Sequence, residues 1–359
     1  MNPTPGSGSG PVPVILDRLA DIVAVVPYLL GFHPELSMVA LIIDPADKSI
    51  TATLRFDLPD RTDSTPLAHE LGDMMTANHA TQVLLIGYGP DMRVSPIMDA
   101  LRHVLHGRDI TVVEALRVEE GRYWSYLCPD PGCCPPDGTP FDPTTAPATS
   151  PVLAALNVLA DRDALVATLA PVDGLQREAM RAATVAAHTR AAVMLADPAV
   201  TGQTWYAEGR KRVREALERT ADGGQVTEEE AAWLGVLLTM IVVRDAAITF
   251  ITAYPATVLS RLWGRLTRLV EEVYAPAPAT LAAMTAYYNG DGALARIAVD
   301  RALAADPAYR MAYLMRGALN YGLPPKTISD ISTPDLEGVL AEHVRQNAHL
   351  IRPTLHPLI

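Results

Sequence analysis

The chain has 359 residues, 49% of them hydrophobic and 19% charged, a folded composition with length for two cores, since a single core stops growing at about 250–300 residues. Its net charge of −12 gives it no general attraction for phosphate backbones, so nucleic acid is not an expected partner. Three cysteines are too few for a secreted disulfide framework. The most apolar run, residues 231–243, falls short of the roughly 20 residues a bilayer needs, so a cytosolic protein without a membrane segment is expected.

Residues 1–13 are rich in Gly, Ser and Pro and lack the basic and apolar stretches of a signal peptide, so they read as a flexible leader. Val14, Leu19, Ile22, Val23, Val26 and Leu30 recur at helical spacing and predict a helix over 15–30, stopped at Gly31. A strand over 38–43, turn residues Pro45 to Lys48 and an alternating strand over 50–56 predict a hairpin. There follow a helix (66–79), a buried-type strand (82–87), a helix (95–106) and a second hairpin (110–117 and 122–127) turning at Glu119-Glu120-Gly121. The β-α-β-α-β middle favours parallel strands at the centre and antiparallel edges. Residues 14–148 therefore read as an α/β domain, a mixed β-sheet with flanking helices, ending in a Cys/Pro-rich loop.

Beyond that loop the pattern is helical, with segments at 151–168, 174–196, 205–221, 227–251, 255–273, 277–288, 292–304 and 309–321. Thr227 and Glu230 form a capping box. The resulting all-α domain spans 149–325. Ala283, Gly290, Ala295, Ala302 and Pro307 fit the small-residue and terminal-proline positions of a 34-residue tetratricopeptide (TPR) unit, and Tyr313 and Gly317 fit the opening of a second. A TPR-like hairpin is thus expected over 276–323, about one and a half repeats, alongside the plainer alternative of an ordinary alanine-rich hairpin. Arg244 and Asp245 interrupt an apolar stretch and read as an ion pair that sets helix register or, alternatively, as ligand-binding groups. Residues 326–359 read as a mobile or docking tail, with one more amphipathic helix expected over 330–349.

Two strings could carry chemistry. In Pro27 to Ser37, His33, Glu35 and Ser37 have the residue types of base, orienter and nucleophile, although closeness in sequence does not establish the geometry, and Ser37 equally starts a strand. Catalytic candidates are accordingly His33 and Ser37. In Gly121 to Gly138, Cys128, Cys133 and Cys134 could give zinc three soft ligands, form one redox-labile disulfide with a thiol left over, or pack inertly. Adjacent cysteines are awkward as two ligands of one ion, and no histidine is an obvious fourth. Arg55, Asp57, Arg122, Trp124, Ser125 and Tyr126, at strand ends, are ligand-binding candidates. His103 and His106 share a solvated helix face. No Walker, dinucleotide-binding, zinc-protease or kinase motif occurs, so no motif requires a cofactor.

The strings at 27–43, 121–140, 242–245 and 290–307 together resemble the actinobacterial family called domain of unknown function 4192. The resemblance implies a cytosolic protein of no established activity and transfers no catalytic residue, but it marks His33, Ser37, Arg122, Trp124, Ser125 and the three cysteines as the places to look. The expected function is a non-enzymatic interaction or regulatory protein whose partner is another protein. The alternative is a hydrolase or transferase whose site joins the His33 turn to the Cys128–Cys134 loop.

Overall fold

A computed structural model describes residues 18–59, 64–144, 158–323, 325 and 334–357. The leader, the start of the first predicted helix, residues 145–150, the start of the helix expected over 151–168 and the segment at 326–333 lie outside the described residues; the described part of that expected helix is corrected to Arg162–Ala167. The chain divides into two compact units, Met1–Ala164 and Leu165–Ile359.

The first unit is a mixed six-stranded sheet with helices. Its elements in chain order are α1 (Leu19–Leu30), β1 (Ser37–Ile43), β2 (Ile50–Asp57), α2 (Ser64–Ala77), β3 (Gln82–Tyr88), α3 (Asp91–His106), β4 (Thr111–Glu119), β5 (Arg122–Ser125) and β6 (Thr139–Pro140). The helix α1 ends at Gly31, which takes the left-handed φ of 76° that the sequence anticipates. Sheet order is β2-β1-β3-β4-β5-β6. Among the described strands of the sheet only β3 and β4 pair in parallel, and β1–β2, β1–β3, β4–β5 and β5–β6 are antiparallel. Parallel pairing is thus narrower than the alternation of elements suggests. The chain crosses from β2 to β3 through α2, but β1 lies between them, so that crossover yields no parallel pair. The short strand β6 inside the Cys/Pro-rich loop was not expected from sequence.

One sheet face (Met38, Ala40, Ile42, Val83, Leu85, Ala115) packs against Leu71 and Met75 of α2 and Val94, Ile97, Met98 and Leu101 of α3. The other face (Val39, Leu41, Leu84, Ile86, Leu116) is buried as well, which is why β1 and β3 read as continuous apolar runs.

In the second unit all regular elements among the described residues are helical: α4 (Arg162–Ala167, straddling the division), α5 (Gly174–Ala196), α6 (Gly202–Ala221), α7 (Glu228–Leu238), α8 (Ile241–Ile248), α9 (Ala256–Leu269), a 3₁₀ turn (Glu272–Tyr274), α10 (Pro276–Tyr288), α11 (Gly292–Ala305), α12 (Arg310–Asn320) and α13 (Pro334–Asn347). The capping box closes as expected, the Glu230 backbone N–H donating to Thr227 Oγ1 and the Thr227 N–H to Glu230 Oε2. The single helix expected over 227–251 is corrected to two, α7 and α8, bent by 107° at Thr239-Met240. Met240 is extended (ψ 117°), which ends the helical ladder there. No single helix among the described residues is long and apolar enough to cross a membrane.

Helix α10 is buried on nearly every side. Its Thr280 and Thr285 satisfy their hydroxyls on the carbonyls of Pro276 and Leu281, one turn back. Helices α10 and α11, joined by three residues, pack as a hairpin, and α12 packs on both. Helix α13 lies on α6 and α8, and the chain after it returns to place the Thr354 N–H on Thr239 Oγ1 and the His356 N–H on the Tyr274 hydroxyl.

Candidate functional site

The His33 turn is built as an anchor. His33 is exposed and uses its backbone N–H on the Leu159 carbonyl. Ser37 is fully buried. Its hydroxyl donates to the Glu35 carbonyl at 2.6 Å and accepts Nε and Nη2 of Arg55 at 3.0 and 2.7 Å. Arg55 also pairs with Asp57 at 2.6 Å and lies over the Phe32 ring. Beside Ser37 in register stands Tyr88, whose burial pushes its phenol above the usual range.

Ser37 and the strand that feeds the cysteine loop stand apart in the sheet. Ser37, Tyr88, Val118 and Tyr123 form one cross-sheet row. Three strand spacings of ~4.8 Å put β1 roughly 14 Å from β5, beyond the reach of a proton-transfer hydrogen bond.

A second cluster occupies the carboxyl ends of β3 and β4, where α/β sheets place ligands. Arg117 lies 3.7 Å over the ring of Trp124, its direct partner on β5. The same guanidinium pairs with Glu119 and stands 3.8 Å from Asp91, in the first turn of α3. Asp91 accepts Ser95 Oγ at 2.6 Å, and Ser95 meets the Tyr126 hydroxyl at 2.7 Å, which leaves Tyr126 as donor. Burial raises the Tyr126 pKa above the usual phenol value. Trp124 and Tyr126 are legible in the sequence as candidates; Arg117, Asp91 and Ser95 are not, because their convergence depends on the β3–α3–β4 crossover.

The third cluster is the cysteine loop. Cys128, Cys133 and Cys134 are free thiols, and their sulfurs all lie within 4.8 Å of one another. The adjacent pair Cys133-Cys134 thus presents both sulfurs to the same side as Cys128. The Asp130 carbonyl accepts the N–H groups of both Cys133 and Cys134, at 3.1 and 2.7 Å, and this turn curls the pair back toward Cys128. Hydrogen bonding from Cys134 lowers the Cys128 pKa, while burial and the neighbouring sulfurs push Cys134 up to about 12. Other candidates hold this loop in place. Ser125 Oγ donates to Glu114 and accepts the N–H groups of Leu127 and Cys128. Arg122 grips the carbonyls of Asp137 and Gly138, and Trp124 Nε1 donates to the Pro136 carbonyl. Gly138 (φ 78°) lies so close to Trp124 that a Cβ there would fall 2.5 Å from the ring.

In the helical unit a cleft of ≈ 450 Å³ is lined by Arg261, Arg265 and Arg268 with Gln176, Gln225 and Ser260. Arg265 and Arg268 use Nε on the carbonyls of Val226 and Ala170. Their i, i+4, i+7 spacing on α9 is the sequence signal for this face. Arg244 and Asp245 pair at 2.6 Å, with Arg244 also donating to the Tyr309 hydroxyl.

Residues 20–326 match the model of the family described as Domain of unknown function (DUF4192), and the chain belongs to that family. No curated protein and no solved structure matches the chain.

Proposed function

We propose that this family member is a cytosolic, non-enzymatic interaction or regulatory protein. Its α/β unit takes a ligand or a partner's polar group at the Arg117–Trp124–Tyr126 cluster, and its helical unit contributes a TPR-like hairpin for assembly with another protein. The observation that carries the non-enzymatic reading is the state of Ser37. Its oxygen is engaged by Arg55 and its hydrogen by Glu35, so the hydroxyl suggested by sequence as a nucleophile is buried and has no base among the described residues.

The hairpin reading rests on Ala283, Ala295 and Ala302, all fully buried where α10 and α11 approach each other, and on Gly290 at φ 81° in the connection. Three free thiols accord with a reducing compartment. The test has two arms. A fluorophosphonate probe is expected to leave Ser37 unlabelled, and labelling of Ser37 overturns the non-enzymatic reading. Crosslinking of the full chain in native lysate, mapped by mass spectrometry, is expected to join α10–α12 to a second protein; recovery of the bait alone counts against an assembly role.

A further inference from the structure

We propose that Cys128, Cys133 and Cys134 bind one zinc ion as three thiolates, leaving the fourth coordination position open to a donor from outside the loop. The proposal is independent of the ligand-binding reading above.

Four observations carry it. The three sulfurs lie within 4.8 Å of one another, and tetrahedral zinc with bonds of about 2.3 Å sets thiolate sulfurs ~3.8 Å apart, so a small contraction completes the site. The backbone is already shaped for it: the Asp130 carbonyl holds the N–H groups of Cys133 and Cys134, and Ser125 Oγ holds that of Cys128. The loop is also closed at its far end by Arg122 and Trp124 through the carbonyls of Asp137, Gly138 and Pro136. A disulfide is therefore not needed to staple it. Finally, the sulfurs face one another with little other polar contact, Cys128 Sγ reaching only the Asp130 carbonyl at 4.0 Å.

Three thiols this close cannot all ionise unaided, because the thiolates would repel one another, and a soft cation between them offsets that repulsion. Binding releases three protons to solvent as the thiols become thiolates, and the bound unit carries a net charge of −1 from the 2+ ion and three thiolates. Cys133 is exposed, so water or a partner's side chain can reach the ion and complete the tetrahedron.

The experiment titrates the reduced full-length chain anaerobically with Co²⁺ and follows the thiolate-to-cobalt charge-transfer band in the near ultraviolet. Expected are saturation at one equivalent, displacement by one equivalent of Zn²⁺, and a band weaker by about one third in each of Cys128→Ser, Cys133→Ser and Cys134→Ser, as three equivalent sulfur ligands require. Circular dichroism confirms that the variants keep their fold, and Cys133→Ser, at an exposed position, is the variant least able to disturb it. Absence of a saturable band overturns the proposal, as does a band unchanged by all three substitutions. Recovery of the loop as a disulfide from cells lysed into an alkylating agent overturns it too.

Discussion

Ser37 Oγ sits between two nitrogens of the Arg55 guanidinium and the Glu35 carbonyl, and so ties the end of β2 to the turn that opens β1. Removing the hydroxyl leaves Nε without its acceptor, while Nη2 keeps Asp57, on a guanidinium whose side chain is only 12% exposed. Asp57 still neutralises the charge, so Ser37→Ala is expected to cost about 1–2 kcal/mol, the range for a buried donor left without a partner. A urea melt checks this. A cost near zero would mean that the Arg55 contact is not formed in solution.

The period-2 and period-3.6 patterns of the apolar residues made the order of elements readable, because each records which side of an element faces a core. The break between α7 and α8 left no such trace. Residues 231–238 and 240 are all buried, so no polar stripe changes phase where the chain turns. The cysteine loop was legible as a place but not as a cluster. Spacing alone cannot show that the Asp130 carbonyl takes two successive N–H groups and curls Cys133 and Cys134 toward Cys128. Arg117 looked like any alternating strand residue, and only the register of β4 with β5 sets it over Trp124.

That stacked pair makes its own prediction. Trp124 covers the Arg117 guanidinium on one side and fastens the cysteine loop through Pro136 on the other. Trp124→Phe keeps a ring under the cation and loses the loop bond, and is expected to cost about 0.5–1.5 kcal/mol, one net hydrogen bond. Trp124→Ala also loses the stacking, worth a further ~1 kcal/mol for the cation–π contact before packing is counted. Denaturant midpoints should rank wild type above Trp124→Phe above Trp124→Ala. The alkylation rate of the loop cysteines should rise in both variants as the loop loosens.

Arg244 and Asp245 lie side by side in α8, and their pair reaches Tyr309 ahead of α12. Arg244 is 9% exposed and has Asp245 as its charge partner, with a phenol, Tyr309, as the second acceptor among the described residues. Asp245→Ala leaves that charge poorly compensated and is expected to cost about 2 kcal/mol, below the roughly 3–5 kcal/mol of a fully buried pair because Asp245 is partly open to water. The double variant Arg244→Met/Asp245→Ala should recover part of the loss, since it removes the stranded charge. Thermal melts of the three proteins decide it, and a double variant no better than Asp245→Ala would assign the loss to packing rather than charge.

Two titrating groups in the helical unit act on stability with opposite sign. Burial, then the nearby charge of His356, hold the His188 pKa below its ordinary 6.5, and its Nε2 meets the Tyr274 hydroxyl at 2.6 Å. Between that lowered value and 6.5 the unfolded chain binds more protons, so the stability His188 contributes is full above 6.5 and lost as pH falls through its folded value. Asp291 caps α11 by accepting the Leu294 N–H at 2.8 Å, yet burial raises its pKa above the ordinary 3.8. Here the folded chain binds more protons, so the contribution is favourable below 3.8 and lost as pH rises through the folded value. Asp291→Asn keeps a good cap without the charge and is expected to be more stable than wild type at pH 7, the gap closing toward pH 4. His188→Gln should reduce the loss of stability below pH 6.5. Urea midpoints collected from pH 4 to pH 8 measure both, and an Asp291→Asn protein less stable than wild type at pH 7 would show that the carboxylate gains more from the helix N-terminus than it loses to burial.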